Sequence, residues 1–392
     1  MQRPYTDIYE TNPQGYWTVG LKKFINKHEA LICATETKTW PTFHYFDHIW
    51  ENFDRNQLGK KSLDELYKER AQQLRDKYDY LILYFSGGAD SFNILKTFLD
   101  NNIKLDEVCV KWPKKVLNSN VTIYKPNVLD TTAFNYLSEW NYAIKPVLDE
   151  LSKLHPKIKI EIVDWLPDEH VNLEKSFEIV QHWHDIELPS LSVWSPSEEN
   201  LVSQGKRVGS IYGVDKPCLY FKETEVNMMF GDSTFAIGTS NPCNIYGVEF
   251  FYWSPDMPIL AFEMATKVSN WYLENPQYIN ICGWKDNIFD SSAACNATYR
   301  LQQQLYRNIL YTTWDNKFQA SKPMKEERTD KQQWITRLPE MQYYREQFIS
   351  IKDSYLSNLH TTALQFDGYR RLYRTIFTKS YTIKTHTFKD ML

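Results

Sequence analysis

The sequence predicts an α/β fold, a parallel β-sheet with flanking helices, followed by a mainly helical C-terminal region. Three observations lead there. From residue 80 to about 222, short apolar runs alternate with longer amphipathic ones, the pattern of repeated β-α-β units with right-handed crossovers. A Gly-Gly turn, Gly87-Gly88, joins one such strand directly to a helix. From 259 onward apolar residues recur at helical spacing.

In chain order, residues 1–60 are aromatic and irregular, with short strands expected at 15–20 and at Ala30-Leu31-Ile32-Cys33-Ala34. A helix is expected over 62–78. Ser62 is a natural N-cap, Glu65 completes a capping box, and Leu63, Leu66, Tyr67, Ala71 and Leu74 form one apolar stripe. Strand 80–85 leads into helix 90–101, then strand 107–112, a long helix 133–154 and strand 158–164. A helix around 171–183, a looser stretch containing Pro189 and Pro196, and strand 207–212 follow. Strand-like pieces stand at 234–237 and 248–253, and helices at 259–273, 293–314, 329–336 and 339–357. The stretch 366–384 is basic and aromatic. A parallel sheet binds its ligands at the carboxyl ends of its strands, where the strand order reverses, and the Gly-Gly turn sits at such an end.

The 392 residues suggest two or three domains, and 42% hydrophobic with 15% aromatic content is ample for a packed core. A net charge of −4 provides no global basic field for nucleic acid, so any such contact must be a local patch. Cys33, Cys109, Cys218, Cys243, Cys282 and Cys295 lie far apart with no Cys-x-x-Cys pair, which argues against a zinc knuckle or iron–sulfur site. Scattered thiols, an N-terminus without a signal-peptide core and no run of 18 apolar residues are expected of a reduced, cytoplasmic protein with no membrane span.

Ser86-Gly87-Gly88-Ala89-Asp90-Ser91 carries the most chemistry. Glycines let the backbone turn sharply toward an anion, and the N–H groups of the first helical turn then point at it. The spelling is neither a Walker loop nor a Rossmann turn. Ser-Gly-Gly-x-Asp-Ser resembles the PP-loop of the N-type ATP pyrophosphatases. This superfamily includes GMP, NAD, asparagine and argininosuccinate synthetases, tRNA lysidine synthetase and tRNA-thiolating enzymes. The resemblance covers about a dozen residues. It implies the HUP, or adenine nucleotide alpha hydrolase-like, version of the fold. It also implies cleavage of ATP between the α and β phosphates, transfer of AMP to a carbonyl or carboxylate oxygen, and displacement of AMP by a nucleophile.

On this resemblance ATP and Mg²⁺ are the expected small molecules, with Ser86, Gly87, Gly88, Ala89, Asp90 and Ser91 around the phosphates. An Asp in a first helical turn is most simply a cap or dipole partner; the resemblance assigns Asp90 to Mg²⁺, because an anion beside phosphates needs a cation between them. The resemblance puts adenine against the end of the second strand, so that Lys111 and Trp112 flank the nucleotide; Trp112 reads equally well as a core aromatic. Gly213 marks a turn at the sheet's carboxyl edge. After it, Lys216 is the candidate to neutralise departing pyrophosphate and Asp215 to hold Mg²⁺ or orient Lys216, unless Tyr212–Pro217 is an ordinary solvated turn. Lys317 and Lys322 lie in what reads as a solvated charge run, although some relatives bring a lysine from there to the phosphates. His44 and His48 have the i,i+4 spacing of zinc helices but lack the accompanying Glu; these and His182-Trp183-His184-Asp185 read as boundary residues beside core aromatics.

Tyr369, Arg370, Arg371, Tyr373 and Arg374 interleave rings and cations, either an exposed basic face or a stacking and phosphate-binding surface for tRNA or DNA. Position 2 is Gln rather than Cys, and residues 1–78 are too few for a glutaminase domain. The expected organisation is therefore an aromatic-rich N-terminal segment over 1–78, a PP-loop domain over 79–254, and a helical acceptor region over 255–392. The expected activity is that of an AMP-forming ligase resembling the synthetase part of asparagine synthetases, acting on a small carboxylate and an amine, with Asp90 and Lys216 as its catalytic residues. Modification of a nucleic-acid base, or nucleotide binding without catalysis, are the alternatives.

Overall fold

At the centre lies a five-stranded, all-parallel sheet, in a computed structural model that describes residues 9, 12–13, 15–25, 27–112, 139–164, 194–213, 218–221, 225–232, 242–278, 305–311 and 376–385. The elements run β1 (Tyr16–Val19), β2 (Lys22–Phe24), α1 (Lys27–Thr37), β3 (Thr42–His44), α2 (Asp47–Glu51), α3 (Leu63–Lys77) and β4 (Tyr80–Tyr84). They continue with α4 (Ala89–Asp100), β5 (Glu107–Lys111), α5 (Lys145–Leu154), β6 (Lys159–Val163), α6 (Pro196–Ser203) and β7 (Val208–Tyr212). The last are β8 (Cys218–Phe221), β9 (Glu225–Met229), β10 (Val248–Phe250), α7 (Pro258–Glu274) and β11 (Tyr381–Thr385).

The central sheet has the order β10-β7-β4-β5-β6. Its first strand, β4, is in the middle. The chain builds outward through β5 and β6, then returns to β7 on the other side of β4. The order therefore reverses between β4 and β7, and the crevice that opens at such a reversal is where doubly wound sheets bind ligands. α3 and α4 pack against β4, and α6 packs against β7.

Parallel register puts paired residues on the same face. Leu81, Leu83, Val108, Val110 and Ile211 point to the α3/α4 side. Tyr80, Tyr84, Glu107, Lys111, Ser210 and Tyr212 point to the α6 side.

Two small antiparallel sheets, β2-β1-β3 and β11-β9-β8, complete the described structure. One continuous core joins all three sheets. At its heart Trp50 and Trp253 pack on Phe230, with ring centroids 4.5 and 4.8 Å apart, and Phe53 stacks on Phe262 at 4.5 Å. A buried ion pair, Lys27 to Asp232 at 2.7 Å, pins α1 to the end of β9. Asp232 also accepts from the Trp17 indole and the Ile376 amide. Burial alone would discharge both partners; their mutual attraction opposes this.

Most expected elements of the alternating region form within a residue or two of their predicted ends, and the Ser62/Glu65 capping box is present. The expected strand at Ala30–Ala34 is instead part of helix α1. Ala30, Leu31 and Ala34 are buried while Ile32 is 37% exposed, a helical rather than an alternating pattern, and two alanines favour it. The strand-like piece at 248–253 is a strand only as far as Phe250. In the expected helix 133–154, residues Glu139–Ile144 form a wider π turn before α5 begins. Pro146 has no N–H to donate to the fourth carbonyl back, so the regular ladder cannot run through it.

Helix α6 stands where only a loose stretch was expected. At the C-terminal end, 305–310 is helical, whereas 381–385 is a strand paired with β9. The expected elements at 171–183, 234–237, 329–336 and 339–357 lie outside the described residues. Among the described residues no helix is long and apolar enough to cross a membrane.

Candidate functional site

The Ser86–Ser91 loop leaves the carboxyl end of β4, beside the order reversal, and opens α4. Three features make it tight. Gly87 has φ +70°, a left-handed conformation that favours glycine, and an added Cβ there would lie 2.7 Å from the Ile144 side chain. Gly88 is the N-cap of α4 without a side-chain cap, so no side chain of its own answers the first-turn amides. Ser91 braces the turn: its Oγ accepts from the Ser86 amide at 3.2 Å and donates to the Gly88 carbonyl at 3.1 Å. Ser91 is buried and its hydroxyl is used within the loop, whereas Ser86 is exposed and Ala89 is buried at the first position of α4.

Gly213 ends β7 directly against this turn. A Cβ there would stand 2.8 Å from the Ser91 amide nitrogen and 3.0 Å from the Asp90 carbonyl carbon. The glycine lets the chain leaving β7 lie against the first turn of α4.

Asp90 is half-buried in the first turn of α4. Its Oδ1 accepts a 2.5 Å hydrogen bond from the Tyr311 hydroxyl, and its backbone carbonyl accepts from Tyr252 at 2.9 Å. Asn93, one turn on, donates to the Tyr252 hydroxyl at 3.1 Å. Burial, with the Asp90 charge next, holds both phenols well above their ordinary range, so each remains a donor at neutral pH.

Lys111 and Trp112 are consecutive but face opposite ways. The Lys111 ammonium lies 4.9 Å from the Tyr84 ring centroid and 5.7 Å from that of Tyr212, on the α6 side. Those two rings are stacked at 4.6 Å. Burial outweighs the neighbouring Cys109 and Glu198 and pulls the lysine down to about 8. Trp112 is buried against Trp140, 5.3 Å between rings.

Beneath Lys111 runs a buried polar network. Glu198, on α6, accepts from the Tyr84 hydroxyl at 2.5 Å, the Ser210 hydroxyl at 2.5 Å and the Asn244 amide at 2.6 Å. Glu107 accepts from Ser195 and, at 3.0 Å, from Tyr80. Sequence reasoning missed α6 and Glu198. The signal was in Ser195-Pro196-x-Glu198: an N-cap serine, proline at the first helical position, and glutamate at the third.

The other candidates fall apart in space or outside the described residues. Asp215, Lys216, Lys317, Lys322, His182, His184, Tyr369, Arg370, Arg371, Tyr373 and Arg374 are all outside. Lys379, beside the basic segment, is paired with Glu51 and with Asp47 at 3.6 Å. His44 stacks on Tyr16, and its two ring nitrogens meet Asp47 at 2.8 Å and Thr18 at 2.9 Å. Among the described residues no three His, Cys, Asp or Glu side chains converge as a metal cluster. A cavity of about 440 Å³ between α3 and the start of α7, lined by Glu69, Gln73 and Pro258 among others, shares no residue with the loop.

No protein-family model matches the chain, and a search of curated proteins returns no match.

Proposed function

We propose that this chain is an AMP-forming ATP pyrophosphatase of the PP-loop type, a ligase resembling the synthetase part of asparagine synthetases, in the HUP-like version of its sheet. The observation that carries the reading is the position of Ser86–Ser91. A strand, a Gly-Gly turn with one residue at positive φ, and an uncapped helix start occur together at the order reversal of a doubly wound sheet.

In this reading the triphosphate of ATP lies along the loop, with the first-turn amides of α4 and the exposed Ser86 toward its oxygens. Asp90 fits a Mg²⁺ site, because Mg²⁺ is commonly held by one or two carboxylates plus substrate phosphates and water. Bound there, the ion supplies charge neutralisation between the phosphates. An acceptor carboxylate oxygen forms a bond to the α-phosphorus, the α–β bridging bond breaks, and its electron pair leaves with pyrophosphate. An amine then attacks the acyl carbon and AMP departs. The protein's task is to hold the reacting groups in line and to meet the charge that develops on pyrophosphate. The amides of α4 do the first part, and Lys216, with Asp215 beside it, is assigned the second. Lys111 flanks the nucleotide from the α6 side of the sheet.

The test incubates the full chain with α-labelled ATP, Mg²⁺, pooled amino acids and ammonia. AMP and pyrophosphate are expected in equal amounts. Asp90→Asn, nearly isosteric, removes the ligand's charge and is expected to lower the rate by more than the roughly 10–100-fold that loss of a merely orienting partner costs, with the melting temperature nearly unchanged. Release of ADP and phosphate would sink the reading. ATP binding without turnover, across carboxylate, amine and tRNA acceptors, would reduce it to nucleotide binding.

A further inference from the structure

A residue that hydrogen-bonds the Asp90 carboxylate comes from 221 positions away. Tyr311 follows the helical residues 305–310, and this segment is docked rather than adjacent by accident. The Tyr67 hydroxyl of α3 donates to the Leu310 carbonyl at 3.2 Å. The Tyr311 ring packs 5.8 Å from Tyr252 and 6.3 Å from Tyr67. Tyr306, Leu310 and Tyr311 are at most 2% exposed. A rigid aromatic seat thus aims one phenol at one carboxylate oxygen of the loop.

At 2.5 Å the bond is at the short end for a neutral hydroxyl donating to an ionised carboxylate, the charge-assisted kind that is about twice as strong as a neutral pair. Such a bond restrains the plane in which the second carboxylate oxygen lies. Tyr252 supplies an internal contrast. It is equally buried and packs in the same cluster, with its hydroxyl next to that of Tyr311, but it donates to the Asp90 backbone carbonyl, which any residue at position 90 would provide.

Building on the reading above that Asp90 holds the Mg²⁺ of Mg-ATP, we propose that Tyr311 is the positioning residue for that carboxylate, so that docking of the 305–311 segment sets the metal affinity of the phosphate loop. The packing of this segment against α3 then reaches the site: with Tyr311 in place, the metal ligand is oriented. Outer partners that orient a metal-binding carboxylate commonly affect affinity 10–100-fold when removed.

The experiment uses the full chain and α,β-methylene-ATP, which cannot be cleaved at the proposed bond. Its binding is titrated by calorimetry with Mg²⁺ and again with EDTA, for wild type, Tyr311→Phe and Tyr252→Phe. Tyr311→Phe keeps the ring and removes the hydroxyl. It is expected to weaken Mg²⁺-dependent binding about tenfold and leave binding in EDTA unchanged, while Tyr252→Phe, which removes only a neighbour of the Tyr311 hydroxyl, changes the Mg²⁺ dependence less. An unchanged or tighter Mg²⁺ dependence in Tyr311→Phe overturns the positioning role while the parent reading stands. If wild type binds no analogue, the parent reading fails and this inference with it. Should Tyr311→Phe not fold, wild type carries the test alone: Mn²⁺ with the analogue bound is expected to broaden the Tyr311 ring resonances, and sharp resonances in that complex overturn the proposal.

Discussion

On the side of the central sheet toward α3 and α4, the pleat presents Leu81, Leu83, Val108, Val110 and Ile211; on the side toward α6, among the apolar Ile82, Cys109 and Val208, it presents Tyr80, Tyr84, Glu107, Lys111, Ser210 and Tyr212. Both sides are buried, yet they are held differently. The first is stabilised by apolar area removed from water, a non-directional force that tolerates small changes of shape. The second buries two carboxylates, Glu107 and Glu198, which is tolerable only because hydroxyl and amide donors converge on them. The edge strand β10 reverses the pattern once: Glu249 lies on the α3 side and is answered there by Arg70, Lys77 and Tyr78. The polar side therefore has directional requirements that run up the strands toward the loop, ending at Tyr84, Lys111 and Tyr212.

The most damaging way to break this contrast is Glu198→Leu. It removes the acceptor of three buried donors, on Tyr84, Ser210 and Asn244. Asn244 keeps the Val208 carbonyl, so two donors are left unsatisfied; at about 1–3 kcal/mol for each, a loss of roughly 2–6 kcal/mol is expected in urea unfolding. A loss below about 1 kcal/mol would mean that the donors find other partners and that the two sides are not distinct in kind. The matching change on the other side, Leu83→Ala, is expected to cost about 3 kcal/mol, a transfer term plus a cavity term. The two variants should also differ in reach. Leu83→Ala leaves the donors of the α6 side paired, whereas Glu198→Leu unpins the Tyr84 ring beneath Lys111 and should weaken ATP-analogue binding as well.

Much of this framework could be read directly from the chain. Strands 80–85, 107–112 and 207–212 stood out because Gly, Pro or charged residues bound short apolar runs, and α3 because Ser62 and Glu65 form a box. The strand–turn–helix around the loop was legible because Gly87-Gly88 punctuates two apolar runs. What escaped were contacts across long separations. Nothing local to Tyr311 names Asp90, and nothing local to Glu198 names Tyr84, 114 positions earlier. The alternation of Glu107-Val108-Cys109-Val110-Lys111 does show a two-sided strand, but not which helix answers the glutamate. Ala30–Ala34 misled because five small or apolar residues in a row carry no period until the burial of Lys27 and the exposure of Ile32 are known.

The smallest effect sharpens the comparison through pH. Lys111 is a cation on the polar side whose partners are two rings and whose ordinary value of 10.5 falls to about 8, chiefly through burial. Between about 8 and 10.5 the unfolded chain keeps a proton that the native lysine has released. The unfolded state then binds more protons, so this group makes stability rise with pH across that window; below about 8 both states are charged and its burial cost is fully present. Lys111→Met keeps much of the stem, removes the charge, and forfeits a cation–π contact of about 0.5–1 kcal/mol. It is expected to match or exceed wild type by roughly 1 kcal/mol or less at neutral pH, with wild type gaining on it as pH rises from about 8 to 10.5. Urea midpoints for the two proteins across that window check the sign, and the difference between them cancels the tyrosines that also titrate there. A gap that stays constant would mean that the Lys111 ammonium is as well solvated as a surface lysine, and that the polar side of the sheet is open to water at its loop end.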